Sequence, residues 1–132
     1  MPSFTARVAA FVLRKTGVYR RLFSGGPDFH RHQAKALAAP SEPSARLRAR
    51  LSARKSDFLG RTVWDIAPKD QEPSVTMLYW HGGGYVYPAM PGHWNFAAHM
   101  ARVHGWRMIM PLYPLAPRAE VGEITDFALA LY

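Results

Sequence analysis

The spacing of hydrophobic positions changes near the middle of the chain. From Phe4 to Phe23 the large apolar residues are Phe4, Val8, Phe11, Val12, Tyr19, Leu22 and Phe23. That i, i+4, i+7, i+8 pattern draws one stripe along a helix. Ser3 is placed to cap its start, and Ser24-Gly25-Gly26-Pro27 is a stop. A second helix is expected from about Asp28 to Ala39, ended by Pro40 and Pro43. A third is expected from Ser44 to Lys55, with Leu47 and Leu51 one turn apart and Arg46, Arg50 and Arg54 on a neighbouring stripe. Beyond residue 56 short apolar runs alternate with helical spacing. Arg61 to Ala67 reads as a strand, and Lys69 to Ser74 as a polar turn. Val75 to Trp80 is a nearly continuous apolar run, the pattern of a strand buried on both faces. Pro91 to His104 is helical, Trp106 to Leu112 is a second buried strand, and Glu120 to Tyr132 carries Ile124, Phe127, Ala128 and Leu131 at helical spacing. Strand, helix, strand, helix implies an α/β fold with parallel strands flanked by helices.

Composition sharpens that division. The chain has 132 residues, 48% of them hydrophobic, with 7 Phe, 6 Tyr and 4 Trp. That is enough for one core and too apolar for a disordered tail. The absence of cysteine excludes a disulfide scaffold, a Cys-ligated zinc site and a Cys nucleophile. The net charge of +8 is uneven. Residues 1–56 hold 12 of the 17 Lys and Arg and only two acids, Asp28 and Glu42. The expected organisation is therefore a basic helical segment at 1–56 and an α/β core at 57–132. Residues 1–27 carry Arg7, Arg14, Lys15, Arg20 and Arg21 and no acid. Such a helix can make weak contact with an anionic membrane or act as a targeting segment, or it can be a solvated helix face. Val8 to Leu13 is too short and too tightly flanked by Arg for a secretory signal. No nucleic-acid motif accompanies the charge, so no nucleic-acid partner is expected. The expected location is cytoplasmic.

The segment with chemical content is His81-Gly82-Gly83-Gly84, directly after the apolar run 75–80. Three glycines let the backbone adopt φ > 0 and let a substrate approach closely. Two N–H groups turned to one point would stabilise a developing oxyanion. The alternative is a glycine-rich turn without chemistry. A phosphate loop is disfavoured, because neither G-x-x-x-x-G-K-[ST] nor G-x-G-x-x-G with a following acid is present. Tyr85, Tyr87, Trp94 and Phe96 follow the loop, either as packing or as the wall of an acyl pocket. Metal ligation is weakly supported. His30 and His32 are two apart on an expected helix, where side chains diverge, and His99 and His104 are five apart and share a face poorly.

After a helix and a second buried strand comes Tyr113-Pro114-Leu115-Ala116-Pro117. With VTMLYW, His81 to Tyr85, WRMIMPL and the helix 120–132, this order resembles the α/β-hydrolase esterases and lipases of the hormone-sensitive-lipase type, over about Gly60 to Tyr132. The resemblance implies ester hydrolysis through a Ser acyl-enzyme on a small-molecule acyl ester, with no metal or organic cofactor. It implies Gly83 and Gly84 as backbone N–H donors of an oxyanion hole, with Gly82 allowing the turn. His81 would be a structural member of the loop and not the base. Of the aromatics after the loop, Tyr85 and Trp94 are the candidates for substrate binding; by the resemblance, the basic helices would stand where the family has cap helices. The sequence departs from the family pattern in Pro114, where an Arg is usual, and in Arg118, where a Glu is usual. The resemblance also leads one to expect two antiparallel strands before the glycine loop, and only RTVWDIA is clear.

The mechanism in this fold needs a G-x-S-x-G nucleophile elbow, then an acid and a His. The serines are Ser3, Ser24, Ser41, Ser44, Ser52, Ser56 and Ser74, none in G-x-S-x-G and all before the glycine loop. The expectation is a chain that supplies the oxyanion-hole half without nucleophile, acid or base, and that is inactive alone. The alternative is a non-catalytic fragment or pseudoenzyme. An unpaired edge on strand 75–80 would then favour aggregation or an oligomer.

Overall fold

A computed structural model of the chain describes residues 4–17 and 25–132. The expected cap at Ser3 and the stretch 18–24, with Tyr19, Leu22 and Phe23, lie outside those residues. The chain forms two compact units, 1–39 and 40–132. The first contains α1 (Phe4–Thr16) and α2 (Pro27–Ala38). Helix α2 starts where Pro27 occupies its first turn, a position that lacks an N–H partner in any case. On α1 the stripe residues Phe4, Val8, Phe11 and Val12 are exposed.

The second unit holds α3 (Ala45–Arg50), β1 (Ser52–Phe58), β2 (Arg61–Ala67), β3 (Val75–Leu78), α4 (Pro91–His104), β4 (Trp106–Pro111) and α5 (Val121–Leu131). The sheet order is β1-β2-β4-β3. Strands β1 and β2 pair antiparallel, β2 and β4 pair antiparallel, and β3 and β4 pair parallel. The crossover from β3 through α4 to β4 thus gives the expected parallel pair. The rest of the sheet is antiparallel, so the sheet is mixed.

The helix expected over 44–55 is corrected by β1. Ser44 caps α3, its hydroxyl accepting from Leu47 N–H at 3.3 Å, but the helix ends at Arg50. Leu51 then adopts extended backbone and buries its side chain to 2% exposure. The following SARKSDF pairs residue for residue with β2, from Ser52↔Ala67 to Phe58↔Arg61. A two-residue loop joins them, with φ of 51° at Leu59 and 73° at Gly60, and Asp57 Oδ1 accepts the Gly60 N–H at 3.0 Å. Positive φ at both loop residues matches the twist of a tight hairpin. The boundary expected at residue 56 therefore falls inside a hairpin, and the helical character of the N-terminal segment stops at Arg50.

Alternation along β2 and β4 divides the two faces of the sheet. Trp64, Ile66, Met108 and Met110 are buried against Trp94, Ala97 and Ala101 of α4. On the other face Asp65 accepts two bonds from Arg107, Nε at 3.0 Å and Nη2 at 2.6 Å, and a third from Arg54 at 3.4 Å. One carboxylate thereby links β1, β2 and β4. A second apolar cluster joins Tyr113, Ala119, Ile124 and Phe127, with Trp80 and Phe58 packed on it. Gly105 ends α4 in the left-handed conformation at φ 68°. Strand β3 is less buried than its apolar sequence led one to expect, with Val75 45% exposed. It stands at the sheet edge, and among the described residues only β4 pairs with it.

Candidate functional site: the glycine loop and its cavity

The chain leaves β3 with Tyr79 N–H still bonded to Ile109 O at 2.7 Å, then turns at the glycines. Positive φ falls on Gly83 (130°), Gly84 (62°) and Tyr85 (60°). Gly82 is not among these, so the turn assigned to Gly82 from sequence is made one and two residues later. A Cβ on Gly83 would stand 2.9 Å from Tyr87 O, too close for any side chain.

Two bonds set the orientation of successive peptides. The Gly82 carbonyl accepts from His81 Nδ1 at 2.9 Å. The Gly83 carbonyl accepts from Val86 N–H and Tyr87 N–H, each at 3.2 Å. A trans peptide points its N–H opposite its carbonyl. The N–H groups of Gly83 and Gly84 are therefore turned away from those contacts, and among the described residues neither has an acceptor.

The loop is also tied to the segment after β4. Tyr113 Oη donates to the His81 carbonyl at 2.5 Å, and Ala116 N–H donates to Tyr85 O at 2.9 Å. The Tyr113 ring stacks on His81 at 4.3 Å and on Trp80 at 4.5 Å. His81 is 3% exposed, and burial pushes its pKa below the ordinary imidazole value. The neutral ring carries its proton on Nδ1, as the bond to Gly82 requires. Burial likewise holds the Tyr113 phenol well above the usual tyrosine range, so it stays a donor. His93 of α4 lies beside this cluster, its ring centroid 5.4 Å from that of His81. Its Nδ1 accepts Met90 N–H at 2.9 Å, and burial lowers its pKa as well.

Tyr85 is 51% exposed and walls a cavity of about 310 Å³ with Trp80, Ala116, Ala119, Val121, Ile124, Thr125 and Ala128. Its lining is apolar apart from hydroxyls. Most of it comes from α5 and the 116–119 turn, which the sequence reading did not connect to the loop. The signal was the i, i+3, i+4, i+7 row Val121, Ile124, Thr125 and Ala128. Trp94 is not part of this cavity. It is 4% exposed and packs edge-to-face on Trp64 at 6.1 Å, so its expected substrate role is corrected to a core role. Tyr87 is buried, and Phe96 packs on Tyr79 at 5.0 Å. Pro114 is buried and Arg118 exposed. His99 and His104 do meet, with ring centroids 5.8 Å apart, because both lie near the end of α4. Among the described residues no third His, Asp or Glu joins them in a metal-binding group.

Residues 77–132 match the family described as the α/β hydrolase fold. That segment carries the α/β hydrolase fold, and the chain resembles esterases of the hormone-sensitive-lipase type. LipR of Mycobacterium tuberculosis, provisionally named an acetyl-hydrolase, is 28% identical over 79 residues, 60% of this chain and 26% of that protein. A Staphylococcus aureus structure provisionally named an esterase aligns with a TM-score of 0.69 at 19% identity, over 92% of this chain and 42% of its own. A bacterial esterase of the hormone-sensitive lipase family aligns with a TM-score of 0.57 at 23% identity, over 85% of this chain and 38% of its own. The chain spans about a quarter of the curated relative it matches, 26%, and less than half of either structure.

Proposed function

We propose that this chain contributes the oxyanion-binding part of a carboxylic-ester hydrolase. Gly83 and Gly84 donate their N–H groups to the developing oxyanion, and His81 with Tyr113 holds the loop that carries them. The acyl group lies against Tyr85 in the apolar cavity. The observation that carries this reading is the pair of N–H groups, without acceptors among the described residues, directly before Tyr85 of that cavity. Donors fixed in advance stabilise charge without reorganising, and loss of one costs roughly 10²–10³ in kcat in measured cases. Nucleophile, acid and base are supplied from outside these 132 residues, since no serine here stands in G-x-S-x-G.

The test joins residues 1–132 to the remaining portion of a hormone-sensitive-lipase-type esterase and follows hydrolysis of p-nitrophenyl butyrate. Turnover that falls roughly 10²-fold or more when the Gly84 amide N–H is replaced by an ester oxygen (glycolic acid at position 84), which removes one donor and leaves the positive φ accessible, supports the reading. Turnover indifferent to that change rejects it. The 132 residues by themselves are expected to show no turnover above background.

A second reading is favoured by the open edge of β3: a non-catalytic module that pairs through this strand. Its small-molecule affinity would then be independent of Gly83 and Gly84.

A further inference from the structure

The sequence placed Arg46, Arg50 and Arg54 on one helical stripe, and the structure rearranges that group. Arg54 leaves it for β1, where it bonds Asp65. Arg102 of α4 takes its place. Arg46, Arg50 and Arg102 line a cavity of about 230 Å³ with Ser44, Asn95 and an apolar floor of Leu47, Leu51 and Ala98. Three other arginines of this unit have carboxylates. Arg48 bonds Glu42 at 3.0 Å, and Arg54 and Arg107 share Asp65. Among the described residues none of the three cavity arginines has an acid partner.

Like charges one helical turn apart, as Arg46 and Arg50 are, repel each other. Here a third guanidinium from another helix faces the same hollow. An anion seated there would relieve the repulsion and accept hydrogen bonds from several forks at once. Guanidinium forks match tetrahedral oxyanions well. The Asn95 amide and the rim hydroxyl of Ser44 add neutral polar groups, and the floor of Leu47 and Leu51 keeps one side dry.

We propose that the cavity between α3 and α4 binds a phosphate-type oxyanion. The chemistry is shared by free phosphate or a small phosphate ester and by a phospholipid headgroup. The site is separate from the glycine loop and does not depend on the ester-hydrolase reading.

The experiment titrates the whole 132-residue chain with inorganic phosphate at constant ionic strength, with chloride as the matched control. Amide and Arg Nε resonances are followed by NMR. Saturable shifts centred on Arg46, Arg50, Asn95 and Arg102 are expected with phosphate and not with chloride. The pair Arg50→Gln and Arg102→Gln should weaken binding about tenfold or more, and Arg61→Gln should leave it unchanged. A parallel arm measures sedimentation with phosphatidylglycerol vesicles and phosphatidylcholine vesicles. Loss of phosphatidylglycerol binding in the Gln pair assigns the site to a headgroup, while phosphate binding without vesicle binding assigns it to a soluble phosphate. Should the Gln pair not fold, the Lys pair at the same positions keeps the charge but loses the forks, and it should still weaken phosphate binding. Absence of saturable phosphate shifts together with vesicle binding that is absent, or that survives the substitutions through Arg7, Arg14 and Lys15 of α1, would overturn the proposal.

Discussion

Gly83 and Gly122 show how differently two glycines in one chain are constrained. Gly83 combines φ 130° with a Cβ position 2.9 Å from a backbone carbonyl oxygen. Gly122 lies in the first turn of α5, and a Cβ there would meet nothing within 4 Å. Gly83→Ala is expected to destabilise the chain by about 1–3 kcal/mol, and Gly122→Ala to stabilise it by up to ~1 kcal/mol. Urea unfolding of the two variants checks both signs. The histidines predict a pH response. His81 and His93 both have folded-state pKa values below the ordinary 6.5, so the unfolded chain binds more protons in mildly acid solution. Stability from these groups is present above that value and is lost as pH falls through it toward the folded-state values. Melting temperatures should drop between pH 7.5 and 5, with a smaller drop in His93→Gln. The Gln amide oxygen can still accept from Met90 N–H but does not titrate. An equal drop in that variant would remove His93 from the account.

At the scale of elements, Trp94 and Tyr85 separate packing from recognition. Both are aromatic and both follow the glycines, so sequence alone leaves their roles equivalent. Helix α4 turns Trp94 onto the sheet, whereas Tyr85 sits on the loop at positive φ and faces the cavity. Trp94→Ala should cost about 3–5 kcal/mol, while Tyr85→Ala should change stability by less than about 1 kcal/mol. Equilibrium denaturation measures each. The same contrast explains which elements were legible in the sequence. Strands β2 and β4 and helices α4 and α5 carry periodic apolar residues, because each buries one face or two. Strand β1 buries almost none of Arg54, Lys55, Ser56 and Asp57. Its strand character comes from the β2 ladder and the Leu59-Gly60 loop, interactions with residues that follow it. An arginine row at helical spacing was the stronger local pattern, and tertiary pairing overrode it.

For the whole molecule, the glycine loop was legible because its chemistry is written in consecutive residues. The cavity was not, since its wall is drawn from three segments that only the fold brings together. The open edge of β3 has its own consequence. Among the described residues, the outer side of Val75 to Leu78 has no strand partner, and this row of backbone groups beside partly exposed side chains is a template for a further strand. The 132-residue chain is expected to self-associate in light-scattering measurements. Thr76→Pro, which removes an N–H and disfavours edge pairing, should shift it toward monomer. A monodisperse monomer at high concentration would contradict this.

The bonds from Tyr113 to the His81 carbonyl and from Ala116 to the Tyr85 carbonyl bear on engineering. They span about thirty residues of sequence and fasten the loop after β3 to the loop after β4. Residues 81–87 are therefore not a portable cassette. Grafted alone into another sheet, they would lose the phenol and the amide that hold their carbonyls, and the glycines would relax into the many conformations open to them. Transplanting the loop means transplanting 113–116 as well, on a neighbouring parallel strand.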